Sequence, residues 1–313
     1  MLDAKHALTT TVKPDEDGLM IKEIVYGRLN LSRGLLRRMK RGGGVYLNGQ
    51  RDYLTRRVRS GDQLQIFFYD EDTSMEPEAI PLEIVYEDDY LLIVNKPADT
   101  PIHPSPGNFN NTLANGIACY FARQKTIGLR TKVRLVHRID RETSGLILVT
   151  KEPYSLQRLL LQLSEQTLIR EYLAIVEGQP KETTGIIRAP IGRSMDHGVK
   201  RAVRPEGKEA CTVYETLRIG FGASLLRVRL ESGRTHQIRV HLASLGHPLL
   251  GDPLYNKGVQ GEEGGQALHA WRLEFVHPRT GKKHEITCPL PREMLALWKD
   301  SLEGGSAGHA RGK

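Results

Sequence analysis

Cysteine is scarce in this chain. Cys119, Cys211 and Cys288 stand far apart, so neither a C-x-x-C metal site nor a disulfide framework is indicated. No apolar run reaches the roughly 18 residues that suggest a transmembrane helix. The opening MLDAKHALTTTVKPDEDG lacks the apolar stretch of a secretion signal. A monomeric cytoplasmic protein with no membrane partner is the expectation. Acidic residues are also rare in one stretch. Between Gly18 and Tyr69 there are 11 Lys and Arg against 3 Asp and Glu, which accounts for the whole net charge of +8. The rest of the chain holds 34 residues of each sign. Such asymmetry points to a polyanion-binding module joined to a charge-balanced domain.

What is present divides the 313 residues accordingly. Residues 1–17 read as an N-terminal extension and 18–69 as a small basic α+β module. Ser32 is placed to cap a helix, SRGLLRRMKR, and Asn48-Gly49 marks a turn between short strands. Residues 70–81, DEDTSMEPEAIP, are acidic with two prolines and read as a linker. Residues 82–302 mix apparent hairpins with helices, without strict βαβ alternation. That predicts an α+β fold with a mixed, largely antiparallel sheet and a cleft. The Gly-rich segment 303–313 reads as a flexible tail.

Two clusters could carry chemistry. In the first, VHRIDRETSG, Asp140 stands between Arg138 and Arg141 at the mouth of an apolar strand. Flanking cations favour an ionised carboxylate, suited to act as nucleophile or base, although a structural Arg–Asp pair has the same pattern. The second is SGRTHQIRVHL, with Thr235 placed to cap a helix. Arg234, His236 and Gln237 in its first turn would offer donors to an anion. A metal site is the rival, but His236 and His241 are separated by about 140° of helix rotation and share no face. No metal is expected.

These segments match a known family in order. HRIDRETSGLILVTK resembles the H-R-L-D-x-x-T-S-G-L signature of the pseudouridine synthase family that modifies ribosomal and transfer RNA, with Ile139 where Leu is usual. NKPADTPIHPSPG, EYLAIVEG, SGRTHQIRVHLASLGHPLLGD and ALHAWRLEFVHPRTG resemble its other motifs, spanning residues 95–281. LSRGLLRRMKRGGGVYLNG resembles, more loosely, an RNA-binding module shared with a ribosomal small-subunit protein.

The resemblance implies roles. Asp140 aligns with the essential aspartate, Tyr172 with a tyrosine that packs on the flipped uracil, and Arg239 with the basic partner of the aspartate. Arg138 looks like the arginine that fills the space left by the extruded base. Arg33, Arg37, Arg38, Lys40, Arg41, Arg234 and His236 are the further candidates for RNA contact. Lys96-Pro97 reads as support for the cleft. Uridine isomerisation involves no redox step or group transfer, so no cofactor is expected. The partner is RNA: ribosomal RNA first, transfer RNA as the alternative. A catalytically inactive RNA-binding protein and a nucleosidase remain as rivals, the latter without an obvious second carboxylate.

Overall fold

A computed structural model describes residues 7–39, 44–68, 75–104, 109–124, 132–195, 198–256 and 265–303. The N-terminal unit comprises β1 (Leu8–Thr11), α1 (Ile21–Tyr26), α2 (Arg33–Met39), β2 (Gly44–Leu47), β3 (Gln50–Asp52) and β4 (Gln63–Phe67). Ile21, Ile24 and Val25 recur at helical spacing, and all three are buried. Ser32 Oγ accepts the Leu35 amide at 3.2 Å, as a cap should. Asn48 and Gly49, both at positive φ, turn β2 into β3.

The unit starts earlier than the basic segment. Strand β1 pairs antiparallel with β4, placing Leu8 opposite Ile66, and buried Glu16 holds Arg28 at 2.6 Å. Residues 8–11 therefore belong to the module's sheet, where β4 would otherwise present an open edge, and Val12 packs in the module's core. The acidic linker also needs correction. Glu78 N donates to Asn115 O, Asn115 Nδ2 donates to Glu76 O, and Met75 packs on the large core. Residues 75–81 thus dock on the large unit, while 70–74 and most of the tail lie outside the described residues.

The larger unit runs through β5 (Glu83–Glu87), β6 (Leu91–Lys96), α3 (Leu113–Arg123), β7 (Arg134–Leu135), β8 (Ser144–Thr150) and α4 (Pro153–Ser164). Then come β9 (Ile169–Glu177), β10 (Thr184–Arg188), β11 (Ile191–Arg193), β12 (Arg201–Val203), β13 (Cys211–Ile219) and β14 (Ala223–Leu230). Helix α5 (Gln237–Ser244), β15 (Leu268–Val276), β16 (Lys283–Thr287) and α6 (Arg292–Leu302) complete it. The main sheet has the order β10-β13-β14-β9-β15-β8-β6-β5, with β16 beside β15 and β7 beside β8. Its pairings are antiparallel except for β15 with β8. The α+β class with a mixed, largely antiparallel sheet is what the element order foreshadowed. Strand β8 is buried throughout. Ile147 and Val149 share a core with α3, whereas Leu146 and Leu148 pack with Leu159 of α4. None of the described helices is long and apolar enough to cross a membrane.

The parallel β15–β8 seam decides where the site sits. Gly145 lies opposite Ala270 at φ +113°, and any Cβ there would overlap the Ala270 backbone. Only glycine lets the two strands approach so closely. Gly145→Ala is expected to cost roughly 2–3 kcal/mol in urea denaturation, from overlap and backbone strain together. A change below about 0.5 kcal/mol would show that the seam is not tight.

The two units touch. Gln157 of α4 accepts from Ser32 N at 2.9 Å and donates to Asn30 O at 2.6 Å. Tyr154 joins the module's apolar cluster and stacks on Phe68, and Arg279 Nη1 reaches Ala7 O at 3.0 Å.

Candidate active site

The loop between β7 and β8 alternates. His137 and Ile139 point inward, Arg138 is exposed, and Asp140 is partly open at the end. The Thr143 amide donates to Asp140 O and closes the turn. Buried Lys96 fixes the loop from behind: its Nζ donates to the carbonyls of Pro97, Thr100 and Arg141 at 2.8, 3.0 and 2.7 Å. Burial pushes its pKa down to about 7. Lys96 is therefore a brace for the loop, as the sequence suggested.

The arginines beside Asp140 in sequence are not the ones that serve it. Arg141 turns away to Asp99 at 2.6 Å, and Arg138 makes no ion pair among the described residues. Successive loop residues face opposite ways, so adjacency does not give contact. The partner is Arg239, projected from α5: its Nη1 donates to Asp140 Oδ2 at 3.3 Å. Arg239 is itself held. Its Nε and Nη2 each donate to Asp252 at 2.8 Å, a two-pronged pair with a fully buried carboxylate. Asp252 also accepts the amides of Leu254 and Tyr255, and the Tyr255 ring lies 5.0 Å from the guanidinium carbon. Burial opposes the Arg239 charge, but the Asp252 hydrogen bonds outweigh it and hold the pKa above the ordinary arginine value.

His236 stands on the other side of Asp140, with Nε2 at 4.0 Å from Oδ2. Tyr255 OH accepts from Arg201 N, which leaves its proton for His236 Nδ1 at 2.9 Å. That arrangement directs an Nε2–H towards Asp140. Burial lowers the His236 pKa, with Asp140 opposing. The expected Thr235 cap is absent. His236 occupies the cap position in a left-handed conformation, without a side-chain cap bond. Buried Gln237 organises the loop: it accepts from Ser232 Oγ and Arg234 N, and donates to Cys211 O and Thr212 Oγ1. The first turn of α5 therefore spends the Gln237 donors inward, rather than offering them to an anion. His241 is engaged by Thr212 and the Ala189 carbonyl, away from His236. Among the described residues no cluster of His, Cys, Asp and Glu could hold a metal.

Tyr172 is buried on β9, opposite Ala270 of the seam strand, and burial raises its pKa. It lines a cleft of about 50 Å³ together with Asp140, Arg138, His236, Arg239 and Leu268. The structure thus assembles Asp140, Tyr172 and Arg239, with Arg138, Arg234 and His236 around them. The module residues are elsewhere: Arg33 and Arg37 are exposed on α2, outside the cleft lining. Lys40, Arg41 and the Arg38 side chain fall outside the described residues. Asp252 and Tyr255 were given no role from sequence. The only signal was that Asp252 closes the same motif as Arg239.

Chemically, this is one accessible carboxylate oriented by a guanidinium, with a neutral phenol beside it. The second carboxylate, Asp252, has both oxygens occupied and no exposure, so the described residues form no two-carboxylate glycosidase arrangement.

Comparisons of sequence and of structure match one family. The RNA pseudouridylate synthase family model matches residues 90–244. An uncharacterised RNA pseudouridine synthase of Bacillus subtilis is 38% identical over 284 residues, covering 90% of this chain and 99% of that protein. A ribosomal large subunit pseudouridine synthase D of Zymomonas mobilis is 42% identical over 235 residues, 72% of this chain and 74% of that one. Among solved structures, human RNA pseudouridylate synthase domain containing 1 aligns with a TM-score of 0.57 at 27% identity, covering 69% of this chain and 86% of that chain.

Proposed function

The chain belongs to the RNA pseudouridylate synthase family and is an enzyme that isomerises uridine in RNA; on that premise we propose that Asp140 is its catalytic carboxylate and ribosomal RNA its substrate. The observation that carries the assignment is the chain Asp252–Arg239–Asp140, which ends on the accessible carboxylate of the cleft. The base must leave the stack to reach Asp140. Asp140 then faces the ribose, whether it attacks the anomeric carbon or removes the 2′ proton. Arg239 keeps the carboxylate aimed. Tyr172 supplies a ring face for the detached uracil, with stacking worth about 1–3 kcal/mol per base. Arg138, exposed at the rim, takes the space left by the base.

The large-subunit rRNA reading rests on the name of the Zymomonas mobilis relative and on the basic module. We place its action in the cytoplasm, as a monomer. The test is tritium release from 5-tritiated RNA, comparing large-subunit rRNA fragments with transfer RNA. Release from transfer RNA alone would move the substrate to the alternative.

Arg33, Arg37, Arg38, Lys40 and Arg41 would bind phosphates, and Arg234 and His236 would contact RNA at the cleft. Removing residues 1–74 is expected to weaken RNA binding while single-turnover chemistry persists at saturating RNA. The cut spares the docked 75–81 segment. Each lost phosphate contact should flatten the slope of log affinity against log salt by roughly 0.7–0.9. An unchanged slope in a salt titration would mean that the module's charges meet no RNA.

A further inference from the structure

A second cleft of about 270 Å³ adjoins the first, lined by His137, Arg138, Asp140, Arg170, Arg234 and Thr235, among others. Asp140, Arg138, Leu230 and Arg234 line both, so the two form one groove. Arg170 sits on β9 two residues before Tyr172. Strand alternation puts both side chains on one face, so Arg170 continues the face that Tyr172 presents to Asp140.

Arg170 is 6% exposed, and no carboxylate reaches it among the described residues. Its Nη2 donates to Ser232 O at a long 3.3 Å, and its buried Nε has no acceptor. His137, 7% exposed, receives the Leu148 amide on Nε2 at 3.3 Å. Its proton is therefore on Nδ1, and that donor also lacks an acceptor. Burial pushes the His137 pKa down to about 3, with Arg170 contributing, so the ring is neutral at physiological pH. The acids of the groove are engaged: Asp140 with Arg239, and Glu231 with Cys211 Sγ and Arg229. Thr235 is exposed and free of capping.

A buried guanidinium without a counter-ion is costly, and so is each unmet donor. Arg170 and His137 both line this cleft, and each carries a donor that no protein acceptor meets. What such a wall accepts is a group with acceptor oxygens only and negative charge. We propose that this cleft binds the RNA backbone phosphate next to the extruded uridine, with Arg170 as its central cation and Arg234 at the rim. The inference rests on Asp140 facing the target ribose, which sets the neighbouring phosphate into the adjoining cleft. Arginine suits the task because its planar fork meets phosphate oxygens in pairs.

The test compares wild type, Arg170→Gln and Arg170→Lys in binding a labelled stem-loop with one loop uridine, read by fluorescence anisotropy. Neutral methylphosphonates replace the phosphates around that uridine one at a time. In wild type, one such replacement beside the uridine should raise Kd about tenfold, as loss of a charge-assisted contact would. Arg170→Gln should show the same rise on unmodified RNA, and the two losses should not multiply. Should Arg170→Gln fail to fold, Arg170→Lys takes its place and must respond less than wild type to that same replacement. Losses that multiply, no sensitive phosphate in wild type, or unchanged binding by the variant would each overturn the proposal. Turnover of the unmodified stem-loop is scored separately, so failure of the Asp140 reading is seen apart from failure of the phosphate site.

Discussion

Replacing Asp140 with Asn is expected to slow single-turnover pseudouridine formation by at least about a thousandfold, roughly 4 kcal/mol of barrier, with RNA binding retained. Asn keeps the shape and can still accept the Arg239 Nη1 hydrogen bond that now spans 3.3 Å. What it removes is the charge that must act as nucleophile or base. Among the described residues no neighbour can substitute: Asp252 is buried with both oxygens committed to Arg239, and Glu142 lies towards Arg141. An unchanged melting temperature is the control for folding. A rate within about tenfold of wild type would contradict the role given to Asp140.

The second large effect is expected at Asp252. Asp252→Ala should lose about 3–5 kcal/mol of stability, because it leaves the buried Arg239 guanidinium with only the longer Asp140 contact. It should also lower kcat more than it raises KM, since Arg239 would no longer be fixed against Asp140. Replacing both Arg239 and Asp252 with Leu removes the uncompensated charge and should recover much of the stability, but not the activity. Urea denaturation and steady-state kinetics separate the two. A stability loss below about 1 kcal/mol for Asp252→Ala would mean that water or another group already satisfies Arg239.

Much of this was legible from local pattern. The turn at Asn48-Gly49, the apolar strand β8 and the Ser32 cap all depend on residues close in sequence. The failures were non-local. Strand β1 has meaning only beside β4, and the acidic residues 75–81 looked like a free linker until α3 supplied Asn115 and Gly116 as a dock. Strands β11 and β12 are too short to show alternation. In the site, Asp140, Tyr172 and Arg239 came through the family motifs, and the fold brings them to one cleft. The Thr235 cap was wrong because Gln237 reaches back to the loop and fixes it instead. Asp252 and Tyr255 could not be read as the Arg239 support, since that contact exists only after the chain following α5 folds back over it.

The most direct measurement is a map of pseudouridines in ribosomal RNA from cells lacking this protein, complemented with wild type or with Asp140→Asn. The account predicts that defined sites in large-subunit rRNA lose the modification, that wild type restores them, and that Asp140→Asn, present at equal abundance, does not. Restoration by Asp140→Asn, or an rRNA map that does not change when the protein is removed, would contradict it.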